Sequence, residues 1–325
     1  MKTKILFAIL AIALALPARV QAQFTYTTNA GAITVAGYAG PGGTVVISNF
    51  VTSIGSDAFE NRTSLTSVTI PGSVTNIGNY AFDGCTGLTN VAMSNGVANI
   101  GGWAFDGCVK LAGVVIPDSV VTIGGSAFYG CTRLTSIAIP GSVTNMGDAA
   151  FYVCTGLTNV VISNGVAVVG ESVFNGCTGL TGITIPASVT NIVNDAFYYC
   201  TNLTNIYFAG NAPGVNPTAF AGDSHLIVYY LPGATGWSSA FAGYPAVLWN
   251  PLIQTAGGSF GVQDGQFGFN VTGTNNFTVV VEACTSLANP VWTPIATNTL
   301  ANGSFYFSET LQTNSPGRFY GLGFP

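Results

Sequence analysis

The chain has 325 residues and a formal net charge of −5 at pH 7, and only 6% of its residues are charged. Ordinary soluble domains carry roughly 25% charged residues. Because binding to nucleic acid depends on neutralising phosphates with Lys and Arg, seven basic residues in such a chain exclude nucleic acid as the main partner. Ser, Thr, Asn and Gly must therefore make the protein soluble, which is typical of an exported β-rich surface.

The first 22 residues have the three parts of a secretory signal peptide. Lys2 and Lys4 form a basic start, an apolar run of 12 residues follows at 5–16, and residues 20–22 form a small-residue cleavage site. The apolar run is too short to cross a bilayer, which needs about 20 residues. We therefore expect an exported protein, secreted or held at the cell surface, with Gln23 at its mature N-terminus. Cleavage would leave a net charge of −8, and no later stretch predicts a transmembrane segment.

Residues 23–44 predict an N-terminal β cap. Apolar and polar positions alternate there around Gly and Pro, which is typical of a short hairpin. The stretch 45–51 (VVISNFV) then matches the stretch 160–166 (VVISNGV) almost letter for letter. The register of an internal repeat therefore begins at Val45.

From 45 to 232 one block of sequence repeats every 23 residues without insertion. Three columns of buried residue types keep this spacing, and they are Phe59, Phe82, Phe105, Phe128, Phe151, Phe174, Phe197 and Phe220; Leu65, Leu88, Leu111, Leu134, Leu157, Leu180, Leu203 and Leu226; and Cys85, Cys108, Cys131, Cys154, Cys177 and Cys200. A constant period in the twenties indicates a solenoid in which each copy forms one turn. One copy cannot bury a core alone, so the coil needs neighbours and two caps.

Each copy predicts two short strands and an outer turn. The first strand reads L-x-x-V-x-I over 65–70, and a Pro-Gly or Asn-Gly turn follows it. A second short strand carries Val74 and Ile77. The glycine that recurs after it, Gly78 in this copy, indicates a crowded or left-handed backbone position. The stretch 81–85 has apolar residues at helical spacing, which predicts one turn of helix on the outer side.

Departures from the repeat pattern after the seventh copy predict a C-terminal cap and a further domain. In the last copy Asp223 replaces the cysteine, and a charge there predicts that the column meets solvent. Residues 233–251 leave the register, and we expect their aromatic side chains to cover the last turn as a cap and linker. Residues 252–325 consist of short aromatic or β-branched runs divided by Gly, Asn and Pro, which predicts a small β-sandwich-like domain.

The repeated block I-G-x-x-A-F-x-x-C-x-x-L-x-x-[VI]-x-[IL]-P resembles the BspA-like leucine-rich repeat family of bacterial surface proteins. The copy at 123–140 has every position of this block, and the departures elsewhere include Arg62 for the first cysteine, Val173 for alanine and Val193 for glycine. The resemblance implies a mainly β, right-handed leucine-rich-repeat solenoid with a strand on its concave face. It also implies an exported protein that mediates adhesion or other protein contacts, with no catalytic residues to carry over.

The cysteine column has three interpretations. Metal sites usually contain C-x-x-C pairs, which are absent from the sequence. Disulfides suit an oxidising compartment, but equivalent side chains of stacked turns stay about 4.8 Å apart, farther than bridged Cβ atoms. We favour buried free thiols that act as small core residues. Cys284, in the C-terminal domain, is expected to be a buried or reactive thiol.

The outer side of the coil carries an acidic column and a set of aromatic residues. Glu60, Asp83 and Asp106 recur at the 23-residue spacing, and their oxygens would suit Ca²⁺, although we favour a solvated face. The aromatic candidates for stacking on sugar rings or anchoring a protein are Tyr80, Trp103, Tyr129 and Tyr152. Packing between neighbouring outer turns is the alternative that we favour for these rings.

The concave strand predicts the main binding surface. Its outward side chains are small, neutral and able to form hydrogen bonds, and the candidates for contact with a ligand are Ser67, Asn90, Ser136, Asn159 and Asn205. The next outward column ends in Tyr207, which we also expect to be exposed.

No base, nucleophile and orienting group converge in this pattern, and the one histidine, His225, falls in the decayed last copy. The sequence therefore predicts a non-enzymatic protein without cofactor or metal. We expect it to bind a protein or another cell-surface or extracellular component, and the alternative is a glycan bound by the outer aromatic residues. With a protein partner, the C-terminal domain would retain the protein at the surface or join it to a complex.

Overall fold

The computed structural model describes residues 23–256, 258–275, 277–288, 290–310 and 317–324, so the predicted signal peptide at 1–22 lies outside the described residues. Strands and turns make up this described part, and its one helical element is a single 3₁₀ turn at Ala301–Gly303. The protein is therefore a mainly β structure, as the sequence predicts.

The chain begins with a hairpin of β1 (Phe24–Asn29) and β2 (Ala32–Tyr38). Ala30 and Gly31, which connect the two strands, both have positive φ, and a two-residue turn of this kind matches the twist of antiparallel strands. The outer side of the hairpin ends the stack, and β2 pairs in parallel with the first short strand of the coil. The predicted hairpin is therefore confirmed.

The coil that follows alternates between a longer and a shorter strand in every turn. Its strands are β3 (Gly43–Val46), β4 (Ser53–Ile54), β5 (Leu65–Ile70), β6 (Asn76–Ile77), β7 (Asn90–Met93), β8 (Asn99–Ile100), β9 (Gly113–Val114), β10 (Thr122–Ile123), β11 (Ser136–Ile139), β12 (Asn145–Met146), β13 (Asn159–Ile162), β14 (Val168–Val169), β15 (Gly182–Ile185), β16 (Asn191–Ile192), β17 (Asn205–Phe208), β18 (Gly214–Val215), β19 (Ile227–Tyr230), β20 (Ala240–Phe241) and β21 (Tyr244–Leu248).

The odd-numbered strands from β3 to β21, with β20 at one edge, form one sheet of 11 strands, which we call the long sheet. It is built from the strands that the sequence places on the concave face. From β5 to β17 the pairing is parallel and in register, so that each residue faces the one 23 positions later, as Ser67 faces Asn90. Between β17 and β19 the offset becomes 22, as Asn205 faces Ile227. The even-numbered strands from β4 to β18 lie on the second side of the coil, where β4 to β12 pair in one sheet and β14 to β18 in another. A strict period without insertions produces this register because every turn closes with the same geometry.

The core of the coil is a column of stacked phenylalanine rings. All eight rings from Phe59 to Phe220 are fully buried, and neighbouring ring centroids lie 4.8–5.6 Å apart. Each ring is expected to contribute about 1.5–3 kcal/mol through burial of its apolar surface. Because most of that surface is covered by the turns above and below, a single turn gains little of it alone.

The outer segment of each turn is not a turn of helix, although the sequence indicates helical spacing there. In the segment 80–85 the N–H of Asp83 bonds the carbonyl of Tyr80 and the N–H of Cys85 bonds that of Phe82, so two short turns follow each other. Tyr80 has a φ of 56°, which no right-handed helix contains. The N–H of Phe82 instead bonds the carbonyl of Ala104 in the next turn of the coil. Pairing between neighbouring turns therefore prevails over local helix formation.

The recurring glycine after each short strand occupies a crowded position and not a left-handed one. A Cβ atom on Gly124 would lie 2.4 Å from the backbone nitrogen of Gly102 and 2.5 Å from the carbonyl carbon of Gly101. Real Cβ atoms do not approach backbone so closely, so a side chain at Gly124 would force the neighbouring turn to shift.

One interface between turns is partly open, and we call it the seam. Strand β14 starts a separate three-stranded sheet and does not pair with β12, while on the other side of the coil β13 pairs with β15 through Val161 and Thr184 alone. The outer segments stay paired, with the N–H of Phe151 bonded to the carbonyl of Val173 at 2.9 Å.

We attribute the seam to Val173, because it fills the position that alanine occupies in the other turns and it is fully buried. Its side chain lies close enough that a Cβ on Gly170 would approach Val173 Cγ2 to 3.2 Å. The widest step in the phenylalanine column, 5.6 Å between Phe151 and Phe174, is at the same interface. Two extra methyl groups in a tightly packed column hold these turns apart.

The last turn is closed by the segment 233–251. β20 and β21 add to the edge of the long sheet, Phe241 packs against Phe208 at 5.2 Å, and the hydroxyl of Tyr244 donates to the carbonyl of Phe220 at 2.6 Å. Asp223 therefore does not meet solvent, and that prediction is wrong. Its side chain is only 2% exposed, because the cap folds back over the column that the sequence leaves open.

The remaining strands form two antiparallel sheets in the C-terminal domain. They are β22 (Leu252–Gln254), β23 (Gly261–Gln263), β24 (Gln266–Thr272), β25 (Thr278–Cys284), β26 (Thr293–Thr299), β27 (Ser304–Thr310) and β28 (Phe319–Gly323). One sheet contains β22, β24, β23 and β27, and the other contains β26, β25 and β28. Their facing side chains, such as Phe269 and Val281, share one buried core, which is the arrangement of a small sandwich.

Candidate functional site

The exposed face of the long sheet carries small and uncharged side chains. Asn90, Ser136 and Asn159 are exposed and Ser67 and Asn205 are half-buried, so all five predicted contact residues reach this face. Strand alternation explains the pattern, because their neighbours Val91, Ile137 and the equivalent apolar residues point into the core. The face can therefore form hydrogen bonds with a partner without attracting charge of either sign.

The face is not uniform, since it contains one groove of about 500 Å³ near its C-terminal end. Asn159, Thr181, Thr204 and Asn205 provide polar groups to the groove, and Thr278 reaches it from the C-terminal domain. The seam contributes to the groove, because β13 and β15 separate at its floor. Ser67, Asn90 and Ser136 lie on the same sheet outside the groove.

Several polar groups of the groove are held in place before any ligand binds. The hydroxyl of Thr204 donates to the carbonyl of Thr181 at 3.2 Å, and the amide of Asn205 donates to the hydroxyl of Thr204 at 3.0 Å. Fixed side chains lose little conformational entropy when a partner docks.

Tyr207 is buried, and the prediction of an exposed side chain at this position is wrong. It is 4% exposed, stacks on Tyr229 at 5.0 Å and contacts Phe324 at 5.1 Å. Burial raises the pKa of Tyr207 well above its ordinary value, and a hydrogen bond with the side chain of Thr278 acts in the opposite direction. The C-terminal domain therefore covers this end of the long sheet and forms one wall of the groove.

The groove residues that the sequence analysis missed are Thr181, Thr204 and Thr278. Thr181 and Thr204 belong to a column with 23-residue spacing, so the repeat contains a signal for them. Thr278 belongs to a strand outside the repeat, and no local signal places it near residue 205.

The outer aromatic residues form two stacked pairs. Tyr80 and Trp103 lie 5.1 Å apart at an interplanar angle of 6°, and Tyr129 and Tyr152 lie 5.1 Å apart at 3°. Tyr80, Trp103 and Tyr129 are each 37–40% exposed, and Tyr152 is half-buried. Packing between turns, the interpretation that we favour from the sequence, thus covers one face of each ring and leaves other faces and edges exposed.

The acidic column lies on the same outer side. Glu60 is exposed, and Asp83 and Asp106 are half-buried. Burial is the main cause that raises the pKa of both aspartates, and repulsion from a neighbouring carboxylate adds to it. Within the described ranges no three or more His, Cys, Asp and Glu side chains are grouped so as to hold a metal ion.

All seven cysteines are free and buried. In the six of the column the thiol donates to a phenylalanine carbonyl of a neighbouring turn at 3.0–3.3 Å, as Cys85 does to Phe59. Burial raises the pKa of the Cys85 and Cys154 thiols to about 12, which keeps them protonated at neutral pH. The column thus acts as a set of small hydrogen-bonded core residues.

The other titratable residue of interest, His225, is exposed in the last turn, where Nδ1 lies 2.8 Å from the hydroxyl of Ser224. His225 is not among the residues that line the groove. The part of the chain that the structure describes contains no helix with the length and apolar character of a membrane span.

A parallel coil of short, in-register turns with a leucine strand on one side defines a leucine-rich-repeat solenoid. The model of the "BspA type Leucine rich repeat region" matches this chain in six copies, over residues 52–162 and 104–227, which is more than half of the sequence. The chain therefore belongs to the BspA-type leucine-rich-repeat family, as its sequence resemblance indicates.

Two solved structures illustrate this similarity. The T. pallidum leucine-rich repeat protein TpLRR is 33% identical, with a TM-score of 0.53 over 58% of this chain and 90% of that one. A leucine-rich repeat protein from Bacteroides ovatus is 25% identical, with a TM-score of 0.51 over 70% of this chain and 75% of that one. A comparison with curated proteins finds no match. No catalytic family is indicated by these similarities.

Proposed function

We propose that this protein is an exported, non-enzymatic interaction protein that binds a protein of the cell surface or extracellular space through the groove on the long sheet. The observation that carries the proposal is the groove itself, in which Asn159, Thr204 and Asn205 line a neutral cavity that the C-terminal domain closes at one end. The basic start and apolar run at 2–16 support export. The division into signal peptide, cap, solenoid, linker and sandwich at residues 22, 44, 232 and 251 is part of the same proposal.

A protein partner suits the groove better than a charged small molecule. None of its lining residues is charged, so recognition must rest on hydrogen bonds and shape. Extended backbone of a partner offers alternating N–H and C=O groups, which the Asn and Thr side chains can pair. Because these groups are uncharged, we expect binding to depend little on salt concentration.

The test uses the full mature chain, because separating the domains would expose Tyr207 and Tyr229. The chain is immobilised and exposed to a panel of purified extracellular matrix proteins and to envelope proteins of the producing cell. Two groove variants, Asn159→Arg and Asn205→Arg, place a long charged side chain in the cavity. Asn99→Arg is the matched control, because Asn99 is exposed on the second side of the coil.

We expect at least one protein of the panel to bind, with an affinity that falls about 100-fold or more in the groove variants and stays unchanged in the control. Circular dichroism of each variant checks that the solenoid remains folded. Binding that persists in both groove variants would place the partner elsewhere and overturn the proposal.

A further inference from the structure

The outer surface carries a shallow trough that is separate from the groove of the long sheet. Ser126, Ala149 and Ser172 occupy successive turns at the position that Trp103 occupies one turn earlier. All four residues have a φ of 54–57°, so their side chains leave the backbone in the same direction. A large ring is therefore followed by three short side chains, which form the floor of a trough about 14 Å long at the strand spacing of about 4.8 Å.

One end of this trough is formed by a bare aromatic face. Trp103 stacks on Tyr80 with its ring plane nearly parallel, so the opposite face of the indole points towards the turn that contains Ser126. In the buried phenylalanine column every inner ring has a ring on both sides, whereas Trp103 has one on a single side and is 40% exposed. Where further rings would continue the stack beyond Trp103, there is open space above the small floor residues.

The sides of the trough differ in chemistry. Tyr129 and Tyr152 form one side, because each lies three residues beyond a floor residue and its N–H bonds the floor residue's carbonyl at 3.0 Å. Asp148 and Glu171 lie along the other edge of the floor, since each directly precedes a floor residue; both are exposed, and both also line a cavity with Asn145 and Val168 at the seam. An aromatic end, an aromatic side and an acidic side therefore surround a small, uncharged floor.

We propose that this trough binds a neutral pyranose chain. The C–H face of a pyranose ring is apolar and weakly positive, and it would stack on the bare face of Trp103. Hydroxyl groups at the rim of the sugar would donate to the carboxylates of Asp148 and Glu171, and such charge-assisted hydrogen bonds are stronger than neutral ones. The same carboxylates repel sugars that carry carboxylate or sulfate groups, so anionic glycans are excluded.

The experiment measures glycan binding to the full mature chain by isothermal titration. The probes are cellohexaose, mannohexaose, xylohexaose and the hexamer of N-acetylglucosamine, and the anionic probes are oligogalacturonate and a hyaluronan hexamer. Trp103→Ala removes the stacking face. Ser126→Trp tests the same site without removing Trp103, because the new indole extends the stack and fills the space that the sugar would occupy. The backbone at Ser126 already has the φ that Trp103 adopts.

We expect at least one neutral hexasaccharide to bind and both substitutions to weaken it about tenfold or more. Tyr199→Ala, which removes an exposed ring outside the trough, serves as the matched control and leaves the affinity unchanged. The proposal is overturned if none of the neutral probes binds, if binding survives Ser126→Trp, or if the anionic probes bind equally well. The groove variants Asn159→Arg and Asn205→Arg should not change glycan binding, so this result is independent of the proposed protein partner.

Discussion

Replacing Asp223 by asparagine should stabilise the C-terminal end of the solenoid at neutral pH. Asp223 occupies the position of the cysteine column, where the preceding thiol of Cys200 donates to a phenylalanine carbonyl. An ionised carboxylate cannot donate, and neither carboxyl oxygen has a partner with hydrogen-bond geometry. Burial raises the pKa of Asp223 from 3.8 to about 7.

The sign of the pH dependence follows from proton binding. Because the folded state holds the Asp223 proton more tightly than the unfolded state, the stabilisation is complete below about pH 4 and is lost as pH rises through about 7. A difference of about three pKa units corresponds to at most about 4 kcal/mol. The other titratable groups that face Asp223 are Cys200 and Tyr244, and the pKa of both is raised mainly by burial and further by the carboxyl charge.

The assay compares wild type and Asp223→Asn at pH 4, 6 and 8 by hydrogen exchange of the amides in 220–248 and by urea unfolding. Local exchange is needed because the end turns of a repeat protein can open separately from the rest. We expect the variant to be more stable by up to about 4 kcal/mol at pH 8 and equal to wild type at pH 4. Asp118→Asn, an exposed carboxylate, is the control. Parallel pH curves for wild type and Asp223→Asn would refute the argument.

Two further predictions concern the packing of the turns. Val173→Ala should close the seam and raise the free energy of unfolding by about 1 kcal/mol, with slower hydrogen exchange of the Ala167 and Gly170 amides. Ala127→Val should open a second seam and lower the free energy of unfolding by about 1–3 kcal/mol. A destabilised Val173→Ala variant with unchanged exchange would contradict this explanation of the seam. Gly124→Ala should lower the free energy of unfolding in urea by about 1–3 kcal/mol because its Cβ would meet the backbone of Gly102. Gly113→Ala is the control and should be nearly neutral, because a Cβ there meets nothing within 4 Å. Equal effects of the two substitutions would show that the position of Gly124 is not crowded.

The structure of the repeat could be predicted from the sequence almost completely, because eight copies of the block show the same pattern of residues. The period gives the register, so that Ser67 faces Asn90, and the pattern within a copy gives the strand, the short strand and the crowded glycine. Even the partly exposed stacking of Tyr80 on Trp103 follows from identical positions in successive turns.

The errors lie where the chain departs from the repeat. The outer segment at 80–85 has helical spacing, but bonds to the next turn take its N–H groups. The sequence predicts solvent exposure for Asp223 and Tyr207 because nothing local shows that the segment around Tyr244 and the strand that begins at Thr278 fold back over them. The departure at Val173 is visible in the sequence, yet its effect depends on the space in the alanine column, which only the packed turns define.

The constant 23-residue period also ties the length of the solenoid to the number of its copies. Removing or duplicating a whole period between the hairpin and the last turn leaves every column in register and both caps untouched. Each such event would change the separation of the N-terminal hairpin and the C-terminal domain by one strand spacing, about 4.8 Å. The reach of the molecule is thus set in fixed increments by copy number, independently of what either end holds.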